Sequence, residues 1–354
     1  MKKNIIPASR IPELTIGLDL SDRSFQFCEL NATGEMVGEG QLKLDRPVLR
    51  KYLAGQPKAR VALETGGQSA WVKQVIEELG HEAVVANARE LQAVTGRSHR
   101  TDHHDARQLA RLARVDRELL NPVKLRDAQP QADLFVIRGR ALLVELRTML
   151  INFARAVTKT TGQRLPASVS HRFAERMREA VPEALRPALL PLLRVLDQVG
   201  EELESYEESI EALADQRYPE TRWLRQVPGV GTLTGLTFVL TVNDPARFAH
   251  SRDVGPFVGL VPRRRQSGEQ DPHLRISKCG DGYLRKLLVQ CAHVVMGRFG
   301  PDCALRRWAL DHARQSRTAK KRTVVAVARK LAVWLHRLWS RQEVFQPFPA
   351  AIAA

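Results

Sequence analysis

The sequence is short of cysteine, and this shortage excludes two common ways of holding a small fold together. Its four cysteines, Cys28, Cys279, Cys291 and Cys303, include no C-x-x-C pair. Such spacing predicts neither a disulfide framework nor a zinc site. We therefore expect the protein to work in the reducing cytoplasm.

Long apolar runs are also missing. No window approaches the roughly 20 apolar residues that a membrane-spanning helix needs. The start, Met1-Lys2-Lys3-Asn4, leads to Pro7 and Pro12 without the apolar core of a signal peptide. We expect a protein that neither spans a membrane nor is exported.

Acidic residues are outnumbered, because 39 Asp and Glu face 55 Lys and Arg and leave a formal charge of +16. The excess is spread from end to end, which is typical of a nucleic-acid-binding surface, although basic excess can also serve solubility alone. With 44% apolar and 27% charged residues over 354 positions, the composition predicts a globular protein of two or three domains.

Four of the scarce acids stand where a strand ends or a helix begins. They are Asp19 and Glu64, which close apolar runs, and Asp102 and Asp105, which open a helical segment. Their carboxylates could converge on a divalent ion, which in a basic protein indicates chemistry on phosphodiesters. A spacing of three residues puts Asp102 and Asp105 on one helical face. Taken alone, these two could instead be first-turn acids that offset the helix dipole.

The first third of the chain alternates strands and helices. Strands are predicted over 14–18, 25–30 and 37–44, with a hairpin turn at 31–34, and then over 61–63 and 81–86 on either side of a helix over 70–79. Helices follow from Ala88 and from Thr101. This order is typical of a ribonuclease-H-like α/β fold.

The middle third is helical. The stretch 131–158 has apolar residues at helical spacing, and a second stretch runs from 168 to 214 with interruptions at Pro182, Pro187 and Pro191. Two antiparallel helices could pack here as a coiled coil that supports assembly. A plain helical spacer is the alternative, because the heptads are irregular.

The last third begins with a helix, the turn Val227-Pro228-Gly229-Val230-Gly231 and a second helix, which is the pattern of a helix-hairpin-helix motif. Gly229 and Gly231 would let backbone N–H groups approach a phosphate at a helix N-terminus. The alternative is a turn between helices in which the glycines serve geometry alone.

A basic loop follows, Arg263-Arg264-Arg265-Gln266-Ser267-Gly268, and after it Ile276-Ser277-Lys278-Cys279-Gly280. Guanidinium groups stabilise an alkoxide and a pentavalent phosphorane, so a serine among arginines could attack a phosphodiester. Chemistry alone favours the other interpretation, which is an ordinary exposed loop serine. We predict nucleic-acid contacts from Arg263, Arg264, Arg265 and Lys278 as well as from the two glycines of the turn.

Together these motifs resemble one family. Ile16-Gly17-Leu18-Asp19, Glu64-Thr65-Gly66-Gly67 and Thr101-Asp102-His103-His104-Asp105 are similar to the DEDD transposases of bacterial insertion sequences, in the family named insertion sequence one-ten. Four further motifs resemble that family's second characteristic domain, namely Val227-Pro228-Gly229-Val230-Gly231, Gly259-Leu260-Val261-Pro262, Gln266-Ser267-Gly268 and Ile276-Ser277-Lys278-Cys279-Gly280. The resemblance runs from about Leu14 to Trp339.

The resemblance implies a RuvC-like nuclease domain over 12–125, a helical coiled-coil region over 126–220, and a mainly helical transposase domain with the helix-hairpin-helix over 221–345. It assigns Asp19, Glu64, Asp102 and Asp105 to Mg²⁺ or Mn²⁺, and Ser267 to the nucleophile, with Ser277 as its rival. It also implies a structured guide, the bridge RNA, that pairs with donor and target DNA. Joining two duplexes requires four strand cuts, which predicts a dimer or tetramer.

Three functions follow as hypotheses. The first is an RNA-guided recombinase of an insertion sequence. The second is a Holliday-junction-resolving or DNA-inverting nuclease that uses the acids without RNA. The third is a nucleic-acid-binding protein whose acids are structural. Metal-dependent strand cleavage would exclude the third, and dependence on RNA would separate the first two.

Overall fold

The computed structural model describes residues 12–88, 102–265, 274–314 and 319–348, and gives Asp102 and His103 by their backbone alone. The chain forms two compact units that divide between Arg126 and Asp127. The first unit is a mixed α/β structure and the second is mostly helical. Within the described ranges, no helix combines the length and the apolar character that crossing a membrane requires.

The N-terminal unit is built on a five-stranded sheet in the order β3-β2-β1-β4-β5. Its strands are β1 (Leu14–Leu20), β2 (Ser24–Asn31), β3 (Met36–Lys43), β4 (Ala59–Glu64) and β5 (Glu82–Ala86). The first three form an antiparallel meander, and β4 and β5 continue the sheet in parallel with β1. The predicted succession of five strands along the chain is confirmed, while their order within the sheet was not predicted. The predicted hairpin turn is confirmed as well, because Asn31 Oδ1 accepts hydrogen bonds from the N–H groups of Thr33 and Glu35.

Helices cover both faces of this sheet. On one face lie α1 (Arg46–Ala54) and α2 (Ser69–Glu78), which bury Leu53 and Val75 against the strands. On the other lies α3 (Asp102–Val115), whose buried residues include Leu109 and Ala110. Helix α1 is not predicted from the sequence, because nine residues with two buried leucines give too short a periodic pattern. Its start is nevertheless marked by Asp45, which accepts a hydrogen bond from the N–H of Val48 at 2.9 Å.

The C-terminal unit begins with two long helices, α4 (Ala128–Lys159) and α6 (Arg186–Ala212), connected through the short helix α5 (Phe173–Met177). The long helices run antiparallel, since Arg140 of α4 pairs with Glu207 of α6 while Ile151 packs near Leu193. The predicted interruptions at Pro187 and Pro191 are wrong. Pro187 lies in the first turn of α6, where N–H groups need no helical partner, and Pro191 removes one bond near the helix start without ending the helix.

A buried polar cluster ties the start of α4 to the chain that follows α6. Asp133 is 5% exposed. It accepts hydrogen bonds from Tyr218 Oη at 2.7 Å, from Arg217 Nη1 at 2.8 Å and from Gln129 Nε2 at 3.1 Å. Burial by itself would raise the pKa of Asp133, but these hydrogen bonds outweigh it and hold the pKa below its usual value.

The remaining helices surround one core. They are α7 (Thr221–Arg225), α8 (Thr232–Val242), α9 (Val254–Phe257), α10 (Gly282–Met296), α11 (Ala304–Arg314) and α12 (Ala319–Arg341). Ten of the 11 residues of α8 are buried, so this helix is the central support of the unit. Its Phe238 contacts Trp339 of α12 edge-on, with ring centroids 6.5 Å apart.

Candidate functional site

The ends of the neighbouring strands β1 and β4 bring two of the predicted carboxylates together. Leu18 and Leu63 are the last paired positions of the parallel register, and Asp19 and Glu64 follow them directly. Side chains alternate along a strand and parallel neighbours lie about 4.8 Å apart, so the two acids share one face and one edge of the sheet. Both line a cavity of 430 Å³ with the turn 65–68.

Helix α3 covers the face of the sheet on which these acids lie. Gly17, two residues before Asp19, packs against it, and Ala62, two residues before Glu64, shares a buried cluster with Leu109. A Cβ atom at Gly17 would lie 2.0 Å from the carbonyl oxygen of Ala106. Only glycine allows a helix backbone to approach a strand this closely. The distance between α3 and the sheet is therefore fixed by backbone contact.

Contacts at the far end of α3 establish its direction. Arg114 Nη2 donates to the carbonyl oxygen of Ala32 at 2.7 Å, beside the beginning of β1. Arg60, near the beginning of β4, donates from Nη1 to the carbonyl oxygen of Ala113 at 2.9 Å. The C-terminal end of α3 thus lies over the strand beginnings. Its first turn, which carries Asp102 and Asp105, lies at the edge where the strands end.

We call this arrangement the acid edge, comprising Asp19, Glu64 and the first turn of α3 with Asp102 and Asp105. Asp105 is half-buried, and it stands four residues before Leu109 on the stripe that faces the sheet. Asp102 is placed by its backbone as the first residue of the helix. Among the side chains that the structure describes, no group of three or more His, Cys, Asp and Glu is close enough together to enclose a metal ion.

A buried amide adds a further oxygen to the acid edge. Gln26 stands opposite Asp19 in the β1–β2 pair and is 7% exposed. Its Oε1 atom has no hydrogen-bond partner in the described chain, which costs about 1–3 kcal/mol for a buried polar group. Hard divalent ions take carboxylate and amide oxygens, so the donor chemistry at this edge fits Mg²⁺ or Mn²⁺.

Gln26 is not among the site residues predicted from the sequence. A signal was present, because Gln26 lies between Phe25 and Phe27, and the residues two and four positions later, Cys28 and Leu30, are buried against α3. A polar residue on the buried face of a strand, next to a predicted ligand, is a candidate for the same site.

In the C-terminal unit, the segments 259–265 and 274–280 pair as a short two-stranded element, which we call the basic ribbon. Backbone N–H groups of Lys278, Ser277 and Arg263 donate to the carbonyl oxygens of Gly259, Val261 and Arg275 at 3.1, 2.8 and 2.9 Å. The side chains of Arg263, Arg264, Arg265 and Lys278 are exposed. The ribbon thus presents the predicted cations at the surface.

Two glycines close the base of the ribbon. Gly259 and Gly280 have φ angles of +69° and +72°. A Cβ atom at Gly259 would lie 2.2 Å from the carbonyl oxygen of Cys279, and one at Gly280 would lie 2.0 Å from that of Phe257. Both contacts are with backbone, so the base tolerates only glycine at these two positions.

The two candidate serines differ in what the structure says of them. Ser267 lies in 266–273, outside the described residues. Ser277 is half-buried in the ribbon, and its Oγ accepts a hydrogen bond from the N–H of Cys279 at 3.4 Å. Ser277 therefore takes part in the local turn, while the choice between the two serines stays a prediction.

The turn before α8 gives its two glycines different surroundings. Gly229 has a φ of +81°, and a Cβ atom there would lie 3.1 Å from Val294 Cβ of α10. Gly231 precedes α8, and a Cβ atom there would meet nothing within 4 Å. The lack of a side chain at Gly229 thus lets the turn pack against α10. At Gly231 it leaves open space at the N-terminus of α8. Phosphate binding by either glycine stays a prediction.

Two parts of the chain match transposase families. Residues 16–161 match a family described as transposase, of the DEDD type of IS110 elements. Residues 221–308 match the transposase IS116/IS110/IS902 family. The first match includes both strand ends and α3, and the second includes the basic ribbon.

Relatives are similar along most of the chain. The transposase for insertion sequence element IS1111A of Coxiella burnetii is 27% identical over 94% of this chain and 91% of its own length. A probable family 20 transposase of Pseudomonas aeruginosa is 30% identical over 94% of this chain and 98% of its own length. The transposase for insertion sequence element IS1328 of Yersinia enterocolitica is 29% identical over 81% of this chain and 86% of its own length. The chain therefore belongs to the IS110 family of insertion-sequence transposases.

Proposed function

We propose that this transposase is a bridge-RNA-guided DNA recombinase that uses a divalent metal and a serine nucleophile. The observation that carries the metal is the convergence of Asp19, Glu64 and the first turn of α3 at the acid edge. The ligands would be Asp19, Glu64, Asp102 and Asp105, with Mg²⁺ or Mn²⁺ as the ion. When bound, the ion supplies Lewis-acid stabilisation of charge that develops on a phosphate.

The three predicted regions belong to this proposal. A mixed sheet covered on both faces supports a RuvC-like domain over 12–125. Antiparallel α4 and α6 support a coiled-coil region over 126–220. The turn between α7 and α8 supports a helix-hairpin-helix within the transposase domain over 221–345, although α7 has only five residues.

The nucleophile we propose is Ser267, next in sequence to the basic ribbon. Its hydroxyl oxygen would bond to phosphorus, the hydroxyl proton would pass to solvent, and the departing DNA oxygen would take up a proton to leave a free hydroxyl end. Exposed guanidinium groups of Arg263, Arg264 and Arg265 would bind the negative phosphate oxygens near the cut. The product is a covalent phosphoserine link to DNA.

The guide RNA is carried over from the family resemblance, and a formal charge of +16 supports binding of nucleic acid. Assembly of several copies is supported by one face of α4. Phe135, Leu142 and Met149 follow one another at seven-residue intervals and are 62%, 63% and 60% exposed. An apolar stripe with this period is typical of a coiled-coil seam, so a second copy is the partner that we propose for it.

The proposed function is tested by replacing one ligand and one neighbour that lines the same cavity. Asp19→Asn should reduce Mg²⁺-dependent cleavage of element-end DNA by about 10³-fold or more, because several kcal/mol of transition-state stabilisation are lost. Asp22→Asn, whose side chain also lines the cavity, should cleave within a few-fold of the unchanged protein. Circular dichroism should show that both variants are folded. Full cleavage by Asp19→Asn protein would refute the metal centre.

The role of RNA needs a separate arm of the experiment. Protein freed of RNA should cleave only after the transcript of the element's flank is added back. Equal cleavage with and without that transcript would instead support a junction-resolving or inverting nuclease that works without a guide.

A further inference from the structure

A groove with an apolar wall and a basic rim lies between the basic ribbon and helix α12. Its volume is 700 Å³, within the range of sites that enclose a small ligand. The apolar wall is formed by Leu260, Leu274, Ile276, Val325 and Ala326. The rim is formed by Arg275, Lys278, Lys321, Arg322 and Arg329.

The positive charge of the rim is not compensated within the described chain. Among the residues that the structure describes, no Asp or Glu lines the groove. None of the five rim cations pairs with a carboxylate of the described residues, whereas nearby Arg307 and Arg337 pair with Asp302 and Glu343. Five cations that pair with no described carboxylate, around an apolar wall, suit a ligand that has both negative charge and a flat apolar surface.

We propose that this groove binds an unpaired nucleotide of the DNA strand, with the phosphates on the cationic rim and the base against the apolar wall. The inference rests on the proposed function only for the identity of the strand as DNA. A fully paired duplex would bind the rim and leave the wall uncovered, because its bases are stacked inside the helix. An extruded base covers the wall, as in enzymes that flip bases into apolar pockets.

Charge continuity favours nucleic acid over a protein partner. The ribbon strand that lines the groove at Pro262 continues into Arg263, whose N–H donates to the carbonyl oxygen of Arg275 on the rim at 2.9 Å. The groove and the basic ribbon thus form one continuous positive surface. This surface is longer than a single acidic side chain or one turn of an acidic helix would cover. A polyanion that runs along this surface would reach the cavity with one of its bases.

The test compares two DNA probes that differ only in one unpaired base. One is a duplex, and the other is the same duplex with a single bulged 2-aminopurine. Binding is measured in EDTA with the full-length protein, so that cleavage plays no part. The unchanged protein should bind the bulged probe about 5- to 50-fold more tightly, and 2-aminopurine fluorescence should change on binding.

Ala326→Phe fills the groove without changing its charge. This variant should lose the preference for the bulged probe while its affinity for the duplex stays within about twofold. Lys321→Gln should weaken binding of both probes. Lys320→Gln removes the same charge from the neighbouring exposed position, which does not line the groove, and should change neither affinity by more than about twofold.

Two results would overturn the inference. One is the absence of any preference for the bulged probe in the unchanged protein, or a preference that Ala326→Phe keeps in full, with both proteins folded by circular dichroism. The other is a change of oligomeric state in Ala326→Phe, measured by sedimentation, with no change in probe preference, because the groove would then hold a protein segment. Neither result depends on cleavage, so either can be told apart from failure of the metal or of the serine.

Discussion

The acid edge and the basic ribbon are the two regions that we propose act on phosphate, and their positions are secured in different ways. The acid edge is placed by a sheet register and by a helix that contacts the sheet through Gly17. The basic ribbon is secured by three backbone hydrogen bonds and two glycines at its base. The strand register sets the positions of side chains along the whole paired length of β1 and β4. The hydrogen bonds and glycines of the ribbon hold its base, and its side chains extend into solvent. We therefore expect the cleavage rate to be sensitive to small displacements at the acid edge. We expect DNA affinity to be sensitive to the charge of the ribbon.

The largest effect should come from the serine. Ser267→Ala should remove both the covalent adduct with DNA and recombination, because no oxygen remains to bond to phosphorus. Denaturing gel electrophoresis of labelled DNA after reaction measures the adduct. Ser277→Ala is the matched variant, and it should keep the adduct. An adduct that persists in Ser267→Ala and vanishes in Ser277→Ala would move the nucleophile to the ribbon itself.

Gly17→Ala tests how strongly cleavage depends on the distance between α3 and the sheet. The added Cβ would lie 2.0 Å from a backbone oxygen and 2.6 Å from a backbone nitrogen of α3, so the helix must move. A shift of about 1 Å can cost roughly 10²-fold in rate. Cleavage should fall by that order, and overpacking should lower stability by about 1–3 kcal/mol. Gly55→Ala, outside the cavity, should change neither quantity, since the nearest atom to a Cβ there would be at 3.5 Å.

Charge at the basic ribbon is tested by salt dependence. Replacing Arg263 and Arg265 by Gln should weaken DNA binding, and it should reduce the slope of log affinity against log salt by about 0.9 for each phosphate that the protein no longer neutralises. Replacing Lys2 and Lys3 by Gln removes the same charge outside the motifs and should have less effect. Asp19→Asn should leave the slope unchanged. Equal slopes in both double variants would contradict a special role for the ribbon.

The smallest effect should come from the scaffold of the C-terminal unit. Because the pKa of Asp133 is lowered in the folded protein, its ionised form stabilises the fold above the usual pKa of 3.8. That stabilisation is lost as the pH falls through the lowered pKa. Asp133→Asn should lose about 1–3 kcal/mol of unfolding free energy near neutral pH and less of it on acidification. Asp197→Asn, which breaks an exposed ion pair, should behave like the unchanged protein.

The ends of the strands could be predicted from the sequence. Packing contacts between segments that are far apart in the chain could not. Asp19 and Glu64 each follow an apolar run, so their places could be predicted from local pattern, and the family resemblance joined them to one site. The approach of α3 to Gly17 and the inward position of Gln26 depend on packing between residues far apart in the chain. The groove beside α12 could not be predicted either, because its wall combines the ribbon with residues about 50 positions later.

The closed base of the ribbon has a consequence for changes of length. Gly259 and Gly280 hold the two segments of the ribbon together at its base, so residues inserted after Arg265 would cost the fold mainly the entropy of closing a longer connection. That entropy grows slowly, by about 0.6 kcal/mol for each doubling of loop length. An insertion there would therefore cost the fold little, whereas a substitution of Ser267 would remove the proposed nucleophile. A side chain at either glycine would instead force the base of the ribbon apart, because its Cβ atom would meet backbone atoms at 2.0–2.2 Å.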